Sequence, residues 1–212
     1  MPKLRVHNLA ISLDGYVAGP NQGPDNPLGE GGTRLHEWVF ATPYANPEAT
    51  DDPGVDDEYL AAGDRGIGAT IMGRNMFGPI RGAWPNHEWT GWWGDNPPYH
   101  HDVFVLTHHP RPSFGMEGGT TFHFVDETPE AVLHRAFDAA NGQDVRLGGG
   151  CSTVRQFLRT RLVDELHLAV VPILLGAGER LYDDLGELPG YQVASVTHSP
   201  AVTHVTFTRS GA

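Results

Sequence analysis

The sequence contains few cysteines and few basic residues. Cys151 is the single cysteine among 212 residues, so no disulfide can form within the chain, and a reducing compartment is indicated. Only 14 lysines and arginines stand against 26 aspartates and glutamates, which gives a formal net charge of -12. This charge opposes the broad positive field of nucleic-acid and anionic-membrane binders. We expect no nucleic-acid partner, and an anionic ligand would need a local arginine pocket.

Long apolar runs are missing as well. No segment approaches the length of a membrane span, and the start, MPKLRVHNLAISLDGYVAG, has no apolar signal-peptide core with a small-residue cleavage site. These features predict a soluble, cytoplasmic protein without a membrane partner. The length suits a single domain over residues 1–212.

The histidines do not form a persuasive metal site. Twelve are present, with pairs at His100–His101 and His108–His109. However, the pairs lack the acidic or sulfur partners at H-E-x-x-H-type spacing that make a metal site persuasive. We therefore predict no metal.

Short apolar strands alternate with amphipathic segments along the chain. Strands are predicted at 4–13, 69–77, 102–109, DVRLGGG, DELHLAVV, YQVASVT and VTHVTFTR, and helices at 55–66, 128–142 and CSTVRQFLRTRLV. Two long irregular stretches lie near 20–54 and 78–102. The early alternation and the antiparallel ending predict an α/β fold with a mixed sheet flanked by helices.

The helix at 128–142 carries signals at both of its ends. Thr128 suits the N-cap, Pro129 suits the first helical position, and Gly142 suits the C-cap. We therefore expect the helix to begin just after Thr128.

The stretch RLGGGCSTVRQFL supports two interpretations. Gly148, Gly149 and Gly150, followed by Ser152 and Thr153, supply backbone N–H groups at a helix start, where a diphosphate binds well. The same residues also suit a tight turn with Ser152 or Thr153 as N-cap. We expect the stretch to serve both purposes.

Five motifs in order carry a resemblance to a known family. They are ISLDGYVAG, IMGRNMF, VFVLTHHPR, LGGGCSTVRQFL and DELHLAVVPILLGAGERLY, and they cover most of the chain. In these motifs the sequence resembles the dihydrofolate reductase-like family, and more closely its branch with the reductase domain of bifunctional riboflavin-biosynthesis proteins. The two long loops depart from the family pattern, and no deaminase domain is present.

The resemblance implies NADPH as the cofactor. Arg74, directly after Gly73, would grip the 2′-phosphate of NADPH through paired hydrogen bonds, although a solvated surface arginine is the alternative. Thr107 resembles the family's hydroxyl at the adenosine ribose-phosphate, with loop capping as the alternative. By position, Ala10 and Val17 resemble the backbone positions that contact the nicotinamide.

The sequence assigns no catalytic side chain. Hydride transfer needs an oriented cofactor and a proton rather than a protein nucleophile. Asp14 suits the shaping of a turn better than proton transfer. A folate reductase would also need a buried carboxylate, and Asp56, Asp57 and Glu58 equally suit an acidic first helical turn.

The loop WTGWWGDNPPYHH leaves the substrate contacts open. Trp92 and Trp93 are candidates to stack on a planar substrate, and a structural plug is an equally good interpretation.

The function that the resemblance implies is NADPH-dependent reduction of a small molecule. The substrate would be a planar heterocycle or ribosylamino-pyrimidine, as for 5-amino-6-(5-phosphoribosylamino)uracil reductase. The alternatives are a dihydrofolate (pterin) reductase and a non-catalytic nucleotide or flavin sensor on the same fold. Alternating C-terminal strands with an unpaired edge, together with the resemblance, predict a homodimer.

Overall fold

The computed structural model describes residues 1–49, 54–188 and 190–211. The strands are β1 Leu4–Ser12, β2 Tyr16–Ala18, β3 Ile67–Gly73, β4 Asp102–Leu106, β5 Phe114–Gly115, β6 Thr121–Val125, β7 Asp144–Gly149, β8 Glu165–Val171, β9 Glu179–Arg180, β10 Tyr191–His198 and β11 Thr203–Arg209. The helices are α1 Glu37–Phe40, α2 Val55–Asp64, α3 Arg74–Phe77, α4 Pro129–Ala139 and α5 Cys151–Arg159, with 3₁₀ turns at Gly32–His36 and Glu117–Gly119. Among the described residues, no helix is long and apolar enough to cross a membrane.

The chain divides into two compact units whose segments interleave in sequence. The first unit consists of Met1–Arg5 and Gly66–Val163, and the second of Val6–Arg65 and Asp164–Ala212. Strand β1 therefore starts in the first unit and continues in the second. The single domain over residues 1–212 stays a prediction.

The first unit is built on parallel strands. β3 pairs with β7 and β4, β4 pairs with β6, and the start of β1 pairs with β7, all in parallel, while β5 adds an antiparallel edge. Ala69, Ile71 and Met72 of β3 are fully buried, because a central parallel strand is covered on both of its faces. Helices α4 and α5 pack against β3 and β7.

The second unit is built mainly on antiparallel strands. β11 pairs with β8 on one side and with β10 on the other, both antiparallel. β1 neighbours β8, and β10 forms the edge of this sheet. β2 and β9 pair separately. Leu35, Trp38 and Leu60 are buried in the apolar cluster of this unit.

The predicted mixed-sheet α/β fold with antiparallel C-terminal strands is confirmed, although several boundaries were wrong. The strands predicted at 69–77 and 102–109 end at Gly73 and Leu106. These two residues are paired across β3 and β4, so both strands end at the same rung of the sheet. After β3, the chain continues directly into α3 at Arg74.

The helix predicted at 128–142 is correct at its start and too long at its end. The Thr128 hydroxyl accepts a hydrogen bond from the N–H of Ala131 at 3.3 Å, as expected for an N-cap. The C-cap is Ala140 rather than Gly142. Asn141 already has a φ of 56°, so the left-handed turn begins before the glycine is reached.

The two long loops differ in content. Residues 20–49 include a 3₁₀ turn and α1, and residues 50–53 of the predicted loop lie outside the described residues. Residues 78–101 are all described and contain neither helix nor strand. Trp84, Trp89 and Trp93 of this second loop pack against an aromatic cluster that includes Phe77 and Phe122.

Candidate functional site

The glycine triplet joins β7 to α5 in the first unit. Gly149 ends the strand with a φ of 125°, a backbone conformation that side chains with a Cβ rarely adopt. Gly150 is the N-cap of α5, and no side chain caps this helix. The prediction of Ser152 or Thr153 as N-cap was therefore wrong, because the helix starts at Cys151. As first-turn residues, Ser152 and Thr153 present N–H groups that have no acceptor within the helix.

A close approach of backbone and side chain holds the start of α5 against the end of β3. A Cβ added at Gly73 would overlap the Thr153 hydroxyl, and the Thr153 side chain is buried. Because of this overlap, only glycine at position 73 permits the packing. Met76 fills the space under the triplet, since a Cβ added at Gly148 would lie 3.1 Å from its sulfur.

A pocket of about 330 Å³ opens beside this junction. Five predicted cofactor residues line it, namely Gly73, Arg74, Thr107, Ser152 and Thr153. No sequence motif pointed to most of the other lining side chains, which include Asn75, Arg81, Asp126, Glu127 and Gln156. Gly148, Gly149 and Gly150 are not among the described residues that form its wall.

Arg74 is the charged group of the pocket with unused hydrogen-bonding capacity. Its Nη1 makes a long contact of 3.4 Å with Oγ1 of Thr107, and its Cζ lies 3.7 Å from the ring centroid of Trp84. Its Nε and Nη2 are buried without a hydrogen-bond partner among the described residues. Burial, and then the charge of Arg81, lowers the pKa of the Arg74 guanidinium. An anion in the pocket would balance the charge of Arg74.

The carboxylates of the pocket already have partners. Asp126 accepts a hydrogen bond from His108 at 2.9 Å, and Glu127 pairs with Arg135. Neither carboxylate forms an ion pair with Arg74 in the described part of the chain.

Thr107 has the two roles that the sequence left open. It is buried and lines the pocket, and its hydroxyl also accepts a hydrogen bond from the N–H of His109 at 3.1 Å. His108 lines the pocket, whereas Arg111 is 7% exposed and packs among aromatic rings outside the wall.

Trp92 and Trp93 lie outside the wall of the pocket. Trp93 stacks on Phe122 with ring centroids 6.0 Å apart and meets Tyr99 edge-on. Trp92 meets Trp89 edge-on at 4.8 Å. This packing suits the structural-plug interpretation, and substrate contact by these residues stays a prediction.

The remaining predicted cofactor residues belong to the second unit. Ala10 is 3% exposed in β1 and packs in the apolar cluster with Leu35 and Trp38. Val17 is half-buried in β2. Their nicotinamide contacts stay predictions.

Asp14, also in the second unit, has the geometry of a turn-shaping carboxylate. It accepts hydrogen bonds from the Ser12 hydroxyl at 2.6 Å and from the N–H groups of Leu175 and Gly176 at 3.1 and 2.7 Å. The Ser12 hydroxyl, assisted by these backbone donors, lowers the pKa of Asp14 to about 2. A carboxylate held ionised in this way is a poor proton donor at neutral pH.

A buried histidine chain in the second unit was not recognised in the sequence. The N–H of Asn8 donates to Nδ1 of His167 at 3.0 Å. Because an amide can only donate, His167 carries its hydrogen on Nε2, which donates to Nδ1 of His204 at 3.0 Å. Nε2 of His204 then donates to Asp56 at 2.9 Å. We refer to Asp56, His167 and His204 as the histidine chain.

The histidine chain also shows what the acidic start of α2 does. Asp56 holds His204, and Asp57 accepts a hydrogen bond from the N–H of Tyr44 at 2.6 Å.

Burial, followed by the charges of His7 and His204, lowers the pKa of His167 to about 2. Burial also lowers the pKa of His204, against the opposing effect of Asp56.

The structure belongs to the class of the dihydrofolate reductase-like fold. The features that define this class are the parallel strands around β3, the glycine turn into α5 and the antiparallel C-terminal strands. The model of the RibD C-terminal domain family matches residues 2–205, and the chain belongs to this family. The resemblance noted in the sequence is thus confirmed.

Known relatives extend over nearly the whole chain. The uncharacterized protein YyaP of Bacillus subtilis (strain 168) is 31% identical over 213 residues, covering 97% of this chain and 95% of that protein. A crystal structure from Shewanella sp. PV-4, provisionally assigned to riboflavin biosynthesis, has a TM-score of 0.62 at 23% identity and covers 98% of both chains. The Thermotoga maritima diaminohydroxyphosphoribosylaminopyrimidine deaminase/5-amino-6-(5-phosphoribosylamino)uracil reductase has a TM-score of 0.54 at 13% identity, covering 98% of this chain and 56% of that one.

Proposed function

We propose that the protein is an NADPH-dependent reductase of a small planar heterocycle or ribosylamino-pyrimidine. The observation that carries the proposal is Arg74, a charged side chain that lines a pocket beside a glycine turn and a helix start and has no ion pair among the described residues. Family membership supports the same conclusion. The similarity to the Thermotoga maritima protein, whose name includes 5-amino-6-(5-phosphoribosylamino)uracil reductase, supports the pyrimidine class of substrate.

Each chemical group of NADPH has candidate residues in the chain. Arg74 would bind the 2′-phosphate, and Thr107 would bind the adjoining ribose-phosphate. The diphosphate would be held at the start of α5 by Gly148, Gly149, Gly150, Ser152 and Thr153. Ala10 and Val17 would contact the nicotinamide, and Trp92 and Trp93 the substrate. When bound, NADPH supplies the hydride.

Turnover is the experiment that tests this proposal. The purified protein is incubated with NADPH and either ribosylamino-pyrimidines or dihydrofolate, and NADPH oxidation is followed by absorbance. We expect NADPH consumption with a pyrimidine and not with NADH in its place. Oxidation with dihydrofolate alone would identify a pterin reductase. Binding of NADPH without turnover of any substrate would identify a sensor.

We also propose a homodimer formed through the edge of the second unit. Strand β10 has one sheet neighbour, and Val193 and Val196 on it are 58% and 61% exposed. An exposed apolar edge strand favours pairing with a second copy.

Cys151 is a buried free thiol, which supports the prediction of a cytoplasmic location.

A further inference from the structure

Trp84 makes an unusual contact with two arginines in the first unit. The Cζ atoms of Arg74 and Arg111 lie 3.7 and 4.4 Å from its ring centroid. Two guanidinium groups this close to one centroid would overlap if they shared a face. The indole therefore lies between them.

The indole is itself fixed from several sides. Its Nε1–H donates to the carbonyl oxygen of His109 at 2.6 Å. Phe77 and Phe124 meet it edge-on, with centroids 6.2 and 5.7 Å away. The ring therefore has little freedom to tilt or slide.

Arg111 is anchored equally well. Its Nη2 donates to the carbonyl oxygen of Trp89 at 2.6 Å, and its Cζ lies 4.3 Å from the ring centroid of Phe124. It forms no ion pair within the described residues, and burial followed by the charge of Arg74 lowers its pKa. Arg111, Trp84 and Arg74 thus form a stack that starts in the aromatic cluster and ends at the pocket.

Such a stack restricts the position of Arg74. Arg74 has one long hydrogen bond, to Thr107, and no ion pair in the described part of the chain, so the indole face is its main support. A guanidinium that is already oriented loses less conformational entropy when a phosphate binds.

We propose that Trp84 is a positioning residue that sets selectivity for a 2′-phosphorylated nucleotide by holding the Arg74 guanidinium at the pocket wall. The inference rests on the proposed function, because it assumes that Arg74 meets the 2′-phosphate of NADPH. It adds a residue of the 78–101 loop to the binding apparatus.

Trp84→Leu is the direct test. Isothermal titration measures binding of adenosine 2′,5′-bisphosphate and of adenosine 5′-monophosphate, which differ only in the 2′-phosphate. We expect Trp84→Leu to reduce the preference for the bisphosphate about 10-fold, within the range of cation–π contacts, and to leave the monophosphate nearly unchanged. Trp84→Phe keeps a smaller ring without the N–H, and we expect a loss of about 3-fold.

Trp89→Leu is the matched control, because Trp89 belongs to the same loop and its ring packs on Trp92, while no guanidinium stacks on this ring among the described residues. The carbonyl oxygen of Trp89 that holds Arg111 is a main-chain atom, which this substitution retains. We expect it to retain the wild-type preference. Equal losses for both nucleotides in Trp84→Leu, or an unchanged preference, would overturn the positioning role. If Trp84→Leu does not fold, the preference of Trp84→Phe decides. A wild-type protein without any preference for the bisphosphate would instead overturn the proposed 2′-phosphate site.

Discussion

Arg74 is the residue on which the proposed cofactor site depends most. It has two buried nitrogens without partners and no counter-charge among the described residues. Arg74→Ala should weaken NADPH binding by about 1–3 kcal/mol, the usual contribution of hydrogen bonds to charged groups, and should leave NADH binding nearly unchanged. Isothermal titration with both cofactors provides the measurement.

An exposed arginine provides the control for this substitution. Arg34 is exposed to solvent and does not line the pocket, so Arg34→Ala removes the same formal charge from a residue outside the pocket wall. It should leave both affinities unchanged. Equal losses for NADPH and NADH in Arg74→Ala would contradict the assignment.

Gly73 is the second residue whose substitution has a definite expected outcome. Gly73→Ala places a methyl group on the Thr153 hydroxyl, and overpacking of this kind costs about 1–3 kcal/mol of unfolding free energy. Urea denaturation would measure the loss. Thr153→Ala in the same chain removes the overlapping atom. The double variant should therefore lose less unfolding free energy than the sum of the losses in the two single variants.

At single positions, the sequence predicted polar pocket residues better than aromatic ones. Gly73, Arg74, Thr107, Ser152 and Thr153 line one pocket, and the sequence singled them out because motif resemblance and hydrogen-bonding chemistry are local properties. Their cofactor roles stay predictions. Trp84 was not distinguished from the other loop tryptophans. Its contacts with Arg111 and Arg74 depend on how an irregular loop folds back, which no periodicity encodes.

Element by element, strand and helix types were easier to predict than their ends. The end of β3 is set by its pairing with β4, and the start of α5 is concealed within a run of glycines. β5 and β6 were not predicted, although TFHFV of β6 alternates as a half-buried strand does. The histidine chain joins β8, β11 and α2 across long sequence separations, so its residues looked unrelated in the sequence.

The histidine chain should make stability depend on pH. The pKa values of His167 and His204 are lowered in the folded protein from an ordinary value of 6.5. Below that value the unfolded chain binds protons that the folded chain excludes, so stability is retained above about pH 6.5 and falls as the pH falls. For His167 the loss approaches about 1.4 kcal/mol per pH unit, and His204 adds a loss of the same sign. Urea denaturation between about pH 7.5 and pH 5 would measure it.

A double variant isolates this contribution. His167→Phe with His204→Phe removes both groups and should flatten the pH dependence relative to the wild type. His87→Phe removes an exposed loop histidine and should leave the pH dependence as it is. The same slope in the double variant and the wild type would rule out the chain as the cause.

For the molecule as a whole, the proposed dimer is the main expectation to test. Light scattering at micromolar concentration should give twice the mass of one chain. Val193→Lys with Val196→Lys places charges on β10 and should reduce the mass to that of one chain. Leu174→Lys changes another exposed apolar residue, 66% exposed and outside β10, and should leave the dimer intact. A wild-type mass equal to one chain would exclude it.

The order of the segments also determines when each unit can assemble during synthesis. The first unit has all of its residues once position 163 has been made, whereas the second must wait for residues 164–212. Residues 6–65 therefore spend about 5–20 s without their later partners at ordinary rates of translation. The last strand, β11, lies between β8 and β10. A chain truncated before Thr203 would therefore contain every residue of the first unit, while β8 and β10 would lack the strand that pairs with both. Unpaired strand edges of this kind favour aggregation.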